Sequence, residues 1–145
     1  MITAQVPVRV AVGAARRWFM ELETHPERYQ FETHAGFTFT QGNFGEVGAR
    51  FQTRERFWGL PLTLSFRLTQ VEAQRFHFRL THPRLPVWGA FTIEETGDGM
   101  TALRLDVDGT TRLGAWMLRL PPVRGAVRRQ IRGEVAHIKA SMEAM

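Results

Sequence analysis

From residue 47 to residue 111 the chain repeats one pattern five times: alternating apolar and polar residues, closed by turn-forming residues, over roughly 47–58, 61–70, 75–82, 86–95 and 100–111. Period-two alternation belongs to strands, and turns recurring about every ten residues predict an antiparallel meander. Parity then assigns the faces. Phe51, Thr53, Glu55 and Phe57 share one side of their strand, while Gln52, Arg54 and Arg56 take the other. Leu62, Leu64, Phe66 and Leu68 oppose Thr63, Ser65, Arg67 and Thr69. Phe76, Phe78 and Leu80 oppose Arg75, His77 and Arg79, and Leu103, Leu105 and Val107 oppose Arg104, Asp106 and Asp108. One face of the predicted sheet is apolar and aromatic and the other is wet, so the apolar face needs a cover.

Only the segment from about Pro121 to Met145 is long enough to supply it. At about 100° per residue, Val123, Val127, Ile131, Glu134, Ile138, Met142 and Met145 form one stripe, which is expected to face the sheet. Ala126, Gly133, Ala136 and Ala140 form a flank of small residues suited to close packing. Arg124, Arg128, Arg132 and Lys139 form a charged flank. Pro121-Pro122 suits a helix start, which leaves Leu113–Leu120 as a strand end or a separate turn before it.

The N-terminal part reads as a strand over 2–10, a helix over Ala11–Leu22, a short helix after His25-Pro26 and a strand from Gly36. The fold class is therefore α+β: a β-α-α-β opening, an antiparallel meander and a long final helix. With 145 residues the chain fits a single domain over 1–145 that buries a core without disulfides or metal. The absence of cysteine excludes disulfide frameworks, thiolate metal sites and a cysteine nucleophile. No stretch reaches the roughly 20 apolar residues of a membrane span, and the N-terminus lacks the pattern of a signal peptide, so a soluble, cytoplasmic protein is expected.

This order of elements resembles the START-like or SRPBCC superfamily, the helix-grip fold of polyketide cyclases, lipid-transfer domains and pollen-allergen-type proteins. Gly42-Asn-Phe-Gly-Glu-Val-Gly48 is similar to that superfamily's glycine-rich loop between the second and third strands. Trp88-Gly-Ala-Phe-Thr-Ile-Glu-Glu-Thr-Gly-Asp-Gly-Met-Thr-Ala-Leu103 is similar to its penultimate hairpin. The resemblance spans essentially the whole chain and implies a curved sheet wrapped around the C-terminal helix, with a cavity for apolar ligands between them. It implies no particular activity.

Within that frame Glu55 is the most informative polar residue, because parity sets a carboxylate among Phe51, Phe57 and the Leu/Phe face of the next strand. It must find a partner, take a proton or reach water, unless a bulge turns it outward or an arginine pairs with it. Glu134 poses the same question on the helix stripe, with Gln130 at its edge. Pointing inward, the two could orient the polar end of a ligand or act as acid and base.

Other chemistry finds little support. The glycine loop has the spacing G-x-x-G-x-x-G with no lysine after it and a strand rather than a helix next, so it fails as a nucleotide site and reads as a hairpin loop near the cavity mouth. His25, His34, His77, His82 and His137 show no spacing that gathers ligands on one element, and no metal or other cofactor is expected. No Gly-x-Ser-x-Gly occurs, and Asp106 and Asp108 are expected in solvated cross-strand pairs with arginines.

The net charge of +5 is concentrated between Arg112 and Lys139. Arg124, Arg128 and Arg132 form a ridge that could touch a membrane surface, while the lack of aromatic residues beside it argues against nucleic acid.

The leading expectation is binding of a hydrophobic small molecule, such as a lipid, isoprenoid, quinone or polyketide. Phe51, Phe57, Leu64, Phe66, Phe78, Trp88, Phe91, Val127 and Ile131 would contact it, with Glu55 and Glu134 as anchors. Entry is expected between the glycine loop, the 83–88 turn and the start of the final helix. The alternatives are a cyclase or dehydratase using Glu55 and Glu134, an interaction protein acting through the basic flank, and a solid core with no cavity.

Overall fold

The computed structural model describes residues 1–31 and 34–145. Strand β1 (Ile2–Val8) leads into helix α1 (Val12–Met20) and two short 3-10 turns, Glu21–Glu23 and Pro26–Tyr29. Strands β2 (His34–Gln41), β3 (Arg50–Phe57), β4 (Leu60–Val71), β5 (Arg75–His82), β6 (Val87–Glu95) and β7 (Thr101–Gly109) follow. Helices α2 (Arg112–Met117) and α3 (Pro121–Glu143) complete the chain. The seven strands form one antiparallel sheet in the order β1-β7-β6-β5-β4-β3-β2, so the first strand closes against the last and the meander runs outward from there. This is the expected curved sheet with a long helix against it.

The final helix begins where Pro121 and Pro122 occupy its first turn, positions with no intrahelical hydrogen bond to lose. Its buried arc is Ala126, Gln130, Ile131, Glu134, Val135, Ile138 and Met142. The expected stripe lies at the centre of this arc, with two corrections at its margins. Met145 is 58% exposed because the helix ends at Glu143, and Ala136 and Ala140 are exposed, so they make no close-packing flank. The far end of α3 is instead clamped to the first strand and helix. Lys139 Nζ donates to Pro7 O at 2.7 Å, the Arg9 amide donates to Glu143 at 2.8 Å, and the buried indole of Trp18 donates to Ser141 Oγ at 2.8 Å.

At that end the core is solid. Phe19, Phe44, Phe76 and Phe91 pack ring against ring with centroids 5.0–6.3 Å apart. Each such ring contributes about 1.5–3 kcal/mol by leaving water. Phe44, from the glycine-rich loop, is fully buried here.

The segment before α3 is helical: α2 is capped by Thr111, whose Oγ1 accepts from the Gly114 amide at 3.1 Å. A Cβ on Gly114 would meet Pro86 O at 2.2 Å, so only glycine lets α2 settle on the 83–86 loop. Asp106 also departs from expectation. It is buried, accepts from Thr3 Oγ1 at 2.7 Å and pairs with Arg104 of its own strand at 3.1 Å, instead of a solvated pair across strands. The cause is β1, which lies beside β7 with Thr3 directly opposite Asp106.

Candidate functional site

Away from the solid end, sheet and helix separate around a cavity of about 260 Å³. The expected contact residues Phe51, Phe57, Leu64, Phe66, Phe78, Phe91, Val127 and Ile131 all line it, together with Glu55 and Glu134. Trp88 reaches its wall too, but the indole stacks on His77 of the opposite sheet face, with centroids 4.8 Å apart. One end of the cavity is formed by exposed residues: Trp58 and Leu62 of the β3–β4 hairpin and Leu85 of the 83–86 loop, beside Met117 and Val123. No residue of the 42–48 loop lines the cavity, so the glycine-rich loop is not at its mouth. Phe44 anchors that loop at the solid end instead.

Further along β3 and α3, the cavity ends in a buried polar cluster. Parity holds throughout β3, so Glu55 points inward beside Thr53, and neither a bulge nor an arginine intervenes. Thr53 Oγ1 donates to Glu55 Oε2 at 2.5 Å and Gln130 Nε2 donates to Glu55 Oε1 at 3.1 Å. One helical turn on from Gln130, Glu134 accepts from the Tyr29 hydroxyl at 3.0 Å. His34 completes the group: its Nδ1 lies 2.6 Å from Tyr29 O, and its Nε2 lies 3.3 Å from Glu134 Oε1. A carbonyl can only accept, so Nδ1 carries the proton and Nε2 presents its lone pair to the cluster.

These surroundings favour uncharged forms. Burial, reinforced by the neighbouring Glu55, pushes the Glu134 carboxyl well above the usual range. Burial raises Glu55 as well, against the hydrogen bonds from Thr53 and Gln130. Burial lowers His34 to about 4, so its imidazole is neutral at physiological pH. Tyr29 is pushed up, by burial first and then by the two carboxyl groups, and stays a hydrogen-bond donor. Among the described residues, no arginine or lysine lines the cavity to balance a negative charge.

Tyr29 and His34 were absent from the sequence-based site, and a bulge explains His34. In β2 the register slips between His34 and Gly36, so Ala35 is an extra residue and His34 pairs with Glu55 on the same face as Phe37. Strict alternation would turn His34 outward. Tyr29 comes from a 3-10 turn, where no strand parity applies, and stacks on Phe37 with centroids 5.0 Å apart.

The architecture decides the relationship to known proteins. Over 99% of this chain and 97% of the other it is similar to TTHA0849 from Thermus thermophilus (TM-score 0.73, 13% identity). It is also similar to Ara h 8.0201 (0.72, 12%, 99% and 97% of the chains) and to Zhui aromatase/cyclase from a Streptomyces species (0.71, 12%, 98% and 92%). The chain has the START-like helix-grip fold. No protein-family model matches its sequence, and no curated protein matches it either. At these identities the likeness establishes the helix-grip architecture, and an activity has to be argued from the cavity and its polar end. Among the described residues, no helix of the chain is long and apolar enough to cross a membrane.

Proposed function

We propose that this protein binds a hydrophobic small molecule, of the lipid, isoprenoid, quinone or polyketide kind, inside the grip. The carrying observation is one continuous apolar cavity that starts among exposed aromatic and aliphatic side chains and ends in a buried polar cluster. Such a shape suits a ligand with a long apolar body and a single polar end. Tyr29, Gln130 and the two carboxyl groups supply donors and acceptors for that end, and the aromatic walls contribute through area removed from water. Native mass spectrometry of the protein as expressed, followed by organic extraction, tests this. A retained hydrophobe, or saturable uptake of a fluorescent fatty acid into the emptied protein, is expected. A clean apo mass with no uptake would overturn the reading.

The rim suggests where the ligand is exchanged. Trp58, Leu60, Leu85, Leu113, Trp116 and Leu120 are exposed, and they alternate in the chain with exposed Arg56, Arg84, Arg112 and Arg119. Apolar wedges beside cations fit the interface of an anionic bilayer. This moves the membrane contact expected at Arg124, Arg128 and Arg132 towards the mouth, since Arg124 and Arg128 are half-buried.

A second reading, a cyclase or dehydratase, is favoured by one feature: the Glu134 carboxyl lines the cavity and burial pushes it well above the usual range, which suits a proton donor to a bound oxygen. Glu55 would then serve as its partner in acid–base chemistry. Replacing both glutamates by glutamine would leave any identified turnover unchanged if this reading is wrong.

A further inference from the structure

Glu55 and Glu134 are buried side by side at the closed end of the cavity, and His34 is buried with them. His34 Nε2 lies beside Glu134 but makes no hydrogen bond to any described residue, although it is wholly enclosed. A buried imidazole lone pair turned towards two carboxyl groups, with no cation among the described residues to balance them, is a ready set of ligands for a metal ion. We infer that His34, Glu55 and Glu134 form a binding site for one divalent first-row transition ion of the Zn²⁺, Fe²⁺ or Mn²⁺ kind.

The distances suit such an ion. One ligand atom from each residue lies within 4.8 Å of the other two. Metal–ligand bonds of about 2.0–2.2 Å in a tetrahedral site set ligand atoms about 3.4 Å apart. The 3.3 Å between His34 Nε2 and Glu134 Oε1 already has that length, and rotations moving an oxygen by about an ångström close the rest. Two carboxylates also cancel the charge of a divalent ion, leaving the site neutral in apolar surroundings.

The supporting shell is in place. The Tyr29 carbonyl holds His34 through Nδ1–H at 2.6 Å, which aims Nε2 inward. The Tyr29 hydroxyl holds Glu134, and Thr53 with Gln130 holds Glu55. One imidazole with two carboxylates selects borderline ions, whereas Ca²⁺ takes more oxygen ligands and copper(I) takes sulfur. Three protein ligands leave positions open towards the cavity, the pattern of sites that meet a substrate rather than purely structural ones. The inference stands apart from hydrophobic-ligand binding, since a cation can occupy the cluster of an otherwise empty cavity.

The experiment is titration of the metal-stripped protein with Zn²⁺ alone and with Mn²⁺ alone, by calorimetry and by metal analysis after dialysis. One ion per chain is expected, with at least tenfold weaker binding in each of His34→Gln, Glu55→Gln and Glu134→Gln. Tyr29→Phe, which touches no ion, is expected to weaken it about tenfold. Should a variant fail to fold, Mn²⁺ at a tenth of an equivalent on the unaltered protein decides. It is expected to broaden the ring resonances of His34 and Tyr29 before those of His25, His77 and His82. Absence of a saturable ion, equal affinity in the folded variants, or broadening confined to the other histidines would overturn the site. Uptake of the fluorescent fatty acid by the same samples tests the cavity separately.

Discussion

His34 stands directly across the β2–β3 ladder from Glu55, and it does so because Ala35 is one residue too many for regular pairing. The bulge turns the imidazole of His34 off the outer face, to which strict alternation from Phe37 would assign it, and into the grip. Deleting Ala35 is therefore expected to straighten the ladder while leaving His34 opposite Glu55, because His34 then occupies the regular inward position before Gly36. Its titration, followed by ring NMR, should stay near 4. A rise towards the ordinary histidine value near 6.5 in the deletion variant would refute this account of its burial.

The buried cluster sets an unusual pH dependence in the metal-free protein. A carboxyl raised on folding binds more protons folded than unfolded, so its stabilising contribution is complete at low pH and is lost as pH rises above about 4.5. His34 has the opposite sign: its folded value lies below the unfolded one, so stability falls as pH drops from about 6.5 towards 4. The two oppose each other between about 4.5 and 6.5, and above 6.5 only the carboxyl contribution remains. With Glu55 raised as well as Glu134 against the one lowered imidazole, thermal unfolding is expected to give a melting temperature that declines less across that window than above it. In Glu134→Gln the decline should shrink and the loss on the acid side should become visible. Each uncompensated proton corresponds to about 1.4 kcal/mol per pH unit.

Val127 lines the cavity from α3 and is only half-buried, so a larger side chain there has room to enter. Val127→Trp is expected to weaken uptake of a fluorescent fatty acid at least tenfold, because the indole occupies the volume the probe needs. The stability change should stay within about 1–3 kcal/mol. Undiminished uptake would mean that the probe binds elsewhere.

Trp58 and Gly59 form the two-residue turn of the β3–β4 hairpin, and both have positive φ, 50° and 76°. Such turns favour Asn-Gly, and a tryptophan in this conformation is strained. Trp58 is also 64% exposed beside the cavity mouth. Trp58→Asn is expected to stabilise the fold by about 0.5–1 kcal/mol, measured by urea unfolding, while reducing association with vesicles containing anionic lipid. Unchanged vesicle binding would remove Trp58 from the docking surface.

Most of the architecture follows from periodicity. Period two over β3–β5 and β7 decides which side chains face inward, and period 3.6 over α3 decides which stripe meets them. Both are properties of regular backbone, so they can be read residue by residue, and Glu55 and Glu134 emerge from them as inward carboxyl groups. Where the backbone departs from regularity, the reading fails. Ala35 shifts the parity of His34, a 3-10 turn delivers Tyr29, and the α2 segment folds onto the 83–86 loop through Gly114.

The sequence by itself thus determined an antiparallel sheet with one apolar face, a covering helix and two carboxyl groups between them. Tertiary structure alone decided that the grip is packed solid around Phe44 at one end and open at the other. It also decided that His34, twenty-one residues before Glu55 and a hundred before Glu134, meets both. The physical reason is that periodicity propagates only within an element. Convergence of side chains from β2, β3 and α3 depends on register, curvature and one extra residue, which local pattern does not encode.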